Sequence, residues 1–157
     1  MEREEKFMME AVRLAEAGIE KNHGGPFGCV IVLNEEIVGR GWNKVIADND
    51  PTAHAEVMAI RDACKKLGVF HLPDCELYTS CEPCPMCLGA IYWARIKVVY
   101  FANNKNDAAA IGFNDSFIYD ELTRSRENRK IKMLAIENKD ALKLFEKWKL
   151  KNDKTLY

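Results

Sequence analysis

Cys81-Glu82-Pro83-Cys84-Pro85-Met86-Cys87 decides how this chain is to be read. Three cysteines fall within seven residues, and two prolines interrupt them. Proline suits the first turn of a helix, where no backbone N–H is needed. The apolar run Met86 to Ala94 continues the helix. Cys84 and Cys87 then stand at i, i+3 on its first turn, with Cβ atoms about 5–6 Å apart. Two sulfurs on one tetrahedral zinc, each at ~2.3 Å, lie roughly 3.8 Å apart, so the side chains need only converge slightly. A helix N-terminus also favours the thiolate that a metal requires. The segment is one half of a metal site.

The rest of the chain must supply the other half, and it has three histidines, His23, His54 and His71. His54 lies in Pro51-Thr52-Ala53-His54-Ala55-Glu56, at an expected helix start. His54, Cys84 and Cys87 would give zinc three protein ligands and leave the fourth position open, which is the catalytic pattern. Glu56, two residues on, can lean toward the helix end and handle a proton without ligating the metal. A closed structural site with Cys81 as fourth ligand is the competing reading, and it leaves Glu56 no task. Cys29, Cys64 and Cys75 lie in or beside apolar elements and read as core. His23 and His71 read as loop residues.

Around this centre the pattern alternates helix and strand. Residues 4–21 form an amphipathic helix, residues 28–33 a buried strand, and 37–42 its hairpin partner, whose glycines imply a bulge or a close backbone approach. Residues 43–51 read as a polar loop. A helix over 53–67 stops at Gly68, and a strand over 76–79 enters the cysteine cluster. Residues 96–102 read as a central strand and 103–116 as irregular. A helix is expected over 117–124, a fifth strand over 131–136, and a last helix capped by Asn138. The expected fold is a single domain over 1–157. It is an α/β chain folded as a three-layer α/β/α sandwich with a mixed five-stranded sheet.

The chain has 157 residues, 48% hydrophobic and 30% charged, with a formal net charge of -1. That is the balance of a globular protein, without the basic excess of a nucleic-acid binder. No apolar run reaches membrane-spanning length. Six cysteines behind a charged N-terminus fit a reducing cytoplasm, where clusters mean metal more often than disulfide.

His54-Ala55-Glu56 with Pro83-Cys84-Pro85-Met86-Cys87 is the His-x-Glu … Pro-Cys-x-x-Cys signature of zinc nucleobase deaminases. The chain resembles the cytidine deaminase-like superfamily over nearly its whole length, and within it the small bacterial guanine deaminases. The narrower likeness is carried by Gly24-Gly25-Pro26-Phe27-Gly28, Asp50 to Glu56, Tyr78 to Arg95, and Gly112 to Tyr119. The resemblance implies Zn²⁺ and hydrolytic deamination of guanine to xanthine and ammonia, with a zinc-activated water as nucleophile and Glu56 as proton shuttle. It implies that Asp115 is a second catalytic carboxylate. It also implies that Phe27, Asn43, Ala55, Trp93 and Tyr157 contact substrate. A homodimer is implied as well, in which the segment from about 138 to 157 is swapped and Tyr157 closes the partner's pocket. His23 departs from the family, where an apolar residue is more usual. A tRNA adenosine deaminase shares the signature and is the second reading. A non-catalytic zinc-stabilised binding module is the third.

Overall fold

The computed structural model describes residues 2–157. The chain forms two compact units, one ending at Tyr119 and the other running from Asp120 to Tyr157. In the first, helix α1 (Arg3–Glu20) is followed by strands β1 (Gly28–Leu33) and β2 (Glu36–Trp42). A short helix α2 (Val45–Asp48), helix α3 (Ala55–Leu67), strand β3 (Glu76–Cys81), helix α4 (Pro85–Trp93) and strand β4 (Val98–Asn103) come next. Helix α5 (Lys105–Ala110) and the first half of α6 (Ser116–Thr123) complete this unit.

The sheet order is β2-β1-β3-β4. β1 is antiparallel to both neighbours, and β3 runs parallel to β4. Alternation along β1 builds two cores. Cys29 and Ile31 face a cluster with Ala55, Ala59, Leu77 and Ile91. Val30 and Val32 face Phe7, Leu14 and Tyr78 on the α1 side. The arrangement is three-layered, with each large buried aliphatic contributing about 1.5–3 kcal/mol.

α3 lies close on β2 because both surfaces are small. Its buried Ala55, Ala59 and Ala63 recur every four residues. A Cβ added at Gly41 would stand 2.2 Å from the Ala55 carbonyl oxygen, and one at Gly39 2.6 Å from that of Ala59. Both readings of these glycines hold, since the β1–β2 register also shifts between Ile31 and Val32. Gly68 ends α3 at φ +66.

The sheet has four strands, not five. Residues 131–136 are irregular, and Ile131, Leu134 and Ile136 are exposed. β-propensity alone does not make a strand where no neighbour supplies ladder bonds. The strand over 96–102 forms as Val98–Asn103, but at the sheet edge rather than its centre. Residues 103–116 are also more ordered than expected. Asn104 caps α5 in a reciprocal box, its side chain accepting from Asn106 and Asp107 N–H while Asp107 accepts from the Asn104 N–H. The loop over 43–51 contains the turn α2.

The second unit carries the end of α6, a 3₁₀ turn (Arg126–Asn128) and helix α7 (Lys139–Leu150). Asn138 caps α7 as expected, its Oδ1 accepting from the N–H groups of Asp140 and Ala141.

Candidate metal centre and substrate cleft

Two helix starts converge on one point. His54 is the N-cap of α3 and Cys84 the N-cap of α4, and neither side chain caps its own helix. Cys87 follows on the first turn of α4, with Pro85 opening the helix. The approach to His54 is set by a turn in which the Asp50 carboxylate accepts from the Thr52 N–H and hydroxyl, at 2.8 and 2.7 Å. The approach to Cys84 is set by two ties. Glu82 N–H donates to the Asn103 carbonyl at 2.8 Å, and the Tyr119 hydroxyl donates to the Pro83 carbonyl at 3.1 Å.

His54 Nδ1 lies 3.5 Å from Cys84 Sγ and 3.6 Å from Cys87 Sγ. All three ligand atoms lie within 4.8 Å of one another. Bonds of about 2.0–2.1 Å to nitrogen and 2.3 Å to sulfur, at tetrahedral angles, require N···S separations of roughly 3.5–3.6 Å. The residues therefore fit zinc. The Cys84 thiol is drawn down to about 4, first by its hydrogen bond with Cys87 and further by the His54 ring, against the cost of burial. Cys87 is raised, first by the same bond to Cys84. His54 is raised, first by its hydrogen bond with Cys84.

Cys81 stands apart from this set. It ends β3, its Sγ lies 3.7 Å from the Asn104 carbonyl oxygen, and burial pushes its thiol up to about 11. Among the described residues the ligand group is His54, Cys84 and Cys87, without Cys81, His23 or His71.

A cleft of about 660 Å³ opens beside the ligand group and is lined by His54 and Cys84, with Cys87 buried behind them. Glu56, on the first turn of α3, lines it and is only 6% exposed. Desolvation raises its carboxyl above the ordinary range. The Thr79 hydroxyl lies 3.3 Å from Glu56 Oε1. Phe27, Asn43 and Asp115 line the same cleft. Asn43 is buried, and its Oδ1 accepts from the Val45 N–H at 3.1 Å. Asp115 is raised, first by desolvation and then by the nearby Cys84 charge.

Ala55 is fully buried and offers its peptide N–H, which has no intrahelical partner at a first helical position. Trp93 ends α4, is 65% exposed and does not line the cleft. Tyr157 ends the second unit, exposed.

Among the lining residues that carry no role from sequence, Phe113 and Glu82 make specific contacts. Phe113 meets the Phe27 ring edge-on, centroids 4.9 Å apart. Glu82 accepts from the Lys105 N–H at 3.0 Å, tying the cysteine turn to α5. Phe113 sat within the quoted Gly112 to Tyr119 stretch, beside Asp115. Glu82 sat inside the cysteine cluster, but spacing says nothing of a partner 23 residues away.

The family model for the cytidine and deoxycytidylate deaminase zinc-binding region matches residues 1–103. The guanine deaminase of Bacillus subtilis strain 168 is 54% identical over 145 residues, covering 92% of this chain and 93% of that one. An X-ray structure of the Bacillus subtilis guanine deaminase superposes with a TM-score of 0.95 at 52% identity, over 98% of both chains. A tRNA-specific adenosine deaminase of Aquifex aeolicus is 41% identical over 121 residues, 76% of this chain and 78% of that one.

Proposed function

This chain belongs to the cytidine and deoxycytidylate deaminase zinc-binding family, and we infer from that membership and from the cleft that it is a guanine deaminase. It hydrolyses guanine to xanthine and ammonia, with zinc as cofactor. The observation that carries the substrate is the likeness to guanine deaminase along almost the whole length of both chains.

His54, Cys84 and Cys87 would hold the zinc ion, which would supply an activated water as the nucleophile at neutral pH. Glu56, buried beside the ligands, takes the proton of that water and delivers it to purine N3 as C2 is attacked. The C2–N bond breaks as the amino nitrogen takes the remaining proton of the attacking water and leaves as ammonia, while the new C2–O bond becomes the xanthine carbonyl. Asp115, on the same cleft wall, holds that amino group and shares in the transfer. Phe27 stacks on the purine plane, backed by Phe113, and the Asn43 carboxamide reads a ring edge. The Ala55 N–H stands at a helix start, where donors favour developing negative charge. Trp93 and Tyr157 are the outer contacts of this reading.

The working form is a homodimer in which the segment from about 138 to 157 is exchanged and Tyr157 of the partner subunit covers the cleft. Two features support it. α7 exposes Leu142, Phe145 and Trp148. Asp120–Tyr157 carries eleven Lys and Arg against seven Asp and Glu, in a chain whose net charge is -1, so the rest of the chain is acidic. The compartment is the cytoplasm. Six unbridged cysteines, two of them ligands, support that placement, and no helix among the described residues is long and apolar enough to cross a membrane.

The test is ammonia release from guanine, with adenine, cytosine, guanosine and a tRNA anticodon stem alongside. Turnover of guanine that stops on chelation and returns with zinc is expected. Activity confined to the tRNA stem would replace guanine by adenosine in tRNA. Silence on every amine would leave a zinc-stabilised binding module.

A further inference from the structure

His23 is the first turn residue after α1 to carry an aromatic side chain, and it is tied to the cleft wall twice. Its Nδ1 accepts from Trp42 Nε1–H at 3.0 Å, with the two rings near-parallel at 17°. An accepting Nδ1 places the ring proton on Nε2. Its carbonyl oxygen accepts from the N–H groups of Ile46 and Ala47, at 3.0 and 3.1 Å.

Between those two anchors lies Asn43. Trp42, the last residue of β2, precedes it, and α2 follows it. The Asn43 N–H donates to the Phe27 carbonyl at 3.0 Å, and its Oδ1 is taken by the Val45 N–H. The backbone after His23 also presses on the same carboxamide, since a Cβ at Gly24 would stand 2.0 Å from Asn43 Oδ1. Residues 23–24 therefore hold the segment 42–47 on both sides of the Asn43 carboxamide, which lines the cleft.

We propose that His23 is a positioning residue for substrate recognition: through Trp42 and the start of α2 it fixes the orientation of the Asn43 carboxamide in the cleft. The proposal rests on the guanine reading above and adds to it a specificity device outside the cleft lining. A ring-reading amide acts by orientation, and a hydrogen bond that holds it is felt as substrate affinity rather than as chemistry at C2. Losing one neutral hydrogen bond corresponds to roughly a five-fold effect.

The test compares His23→Leu, Trp42→Phe, their double variant and His23→Asn, each at wild-type zinc content and melting temperature. His23→Asn keeps an acceptor at the δ position. His23→Leu and Trp42→Phe should each raise the KM for guanine about five-fold, with kcat within two-fold. The double variant should add nothing further, and His23→Asn should return KM to within two-fold of wild type. An unchanged KM in His23→Leu, an additive double variant, or His23→Asn as impaired as His23→Leu would overturn the assignment. The Asn43 side-chain amide in a heteronuclear NMR spectrum gives a readout without turnover. It should shift in His23→Leu and hold in His23→Asn, and an amide unmoved in both also sinks the clamp. Wild-type protein inactive on guanine would instead remove the substrate reading, while the amide shifts still report the clamp.

Discussion

At the scale of single residues, the centre depends on which side chains reach the metal and which only stand near it. Cys84→Ser or Cys87→Ser should leave purified protein with far less than one zinc per chain by elemental analysis. Cys81→Ser should retain full zinc, because Cys81 Sγ is directed to the Asn104 carbonyl rather than to the ligand group. Equal zinc loss in all three would restore the closed four-ligand site. Glu56→Gln keeps the shape of the side chain and removes its capacity to carry a proton. Its zinc content should equal wild type while kcat for guanine falls by about 10²–10⁴. The His-x-Glu and Pro-Cys-x-x-Cys spacings made these residues legible without coordinates, since local helix geometry sets each half of the site. Phe113 and Glu82 were not legible as site residues, because their partners lie far away along the chain.

At the scale of elements, the site is as good as the seating of α3 and α4. α3 carries His54 and Glu56, and it is seated through its alanine face on two glycines of β2. Gly41→Ala would push a methyl into the Ala55 carbonyl, which is backbone and cannot swing aside. A cost of about 1–3 kcal/mol is expected in urea unfolding, with a loss of zinc affinity that a Gly89→Ala control, where an added Cβ meets nothing within 4 Å, does not show. Asn138→Ala removes both cap bonds of α7 and should cost about 1 kcal/mol. That cap was readable, as was the stop at Gly68, because both are local chemistry. The expected strand over 131–136 failed for the opposite reason. Its apolar residues satisfy strand propensity, but propensity does not provide a neighbour, and the sheet ends at β4.

At the scale of the whole molecule, Glu10 of α1 shows how charge joins layers. Arg13 on the same helix and Arg40 on β2 both donate to it. Its carboxyl is held below the ordinary range, first by the hydrogen bond from Arg13, then against burial by that from Arg40. A depressed carboxyl stabilises the fold above its unfolded value of about 4.3, and the contribution fades as pH falls through the lower folded value. The urea midpoint of wild type should therefore exceed that of Glu10→Gln at pH 6, and the gap should close as the pH falls through the depressed folded value. The proposed exchange of the C-terminal segment is tested at this scale too. Sedimentation should report two chains, and a chain ending at residue 137 should sediment as one with a raised KM.

The sequence by itself determined the two helix starts that carry ligands, the buried β1, the hairpin with its close-approach glycines, and the chemistry of a zinc deaminase. The structural features follow from periodicity, capping and spacing, which act over one turn or one strand pair, and the deaminase chemistry follows from the family resemblance that the His-x-Glu and Pro-Cys-x-x-Cys motifs carry. Only the tertiary structure decided that β4 is an edge, that the sheet stops at four strands, that Cys81 turns from the metal, and that His23 grips Trp42 beside Asn43. Those outcomes depend on which distant segments meet, and no local propensity encodes a partner.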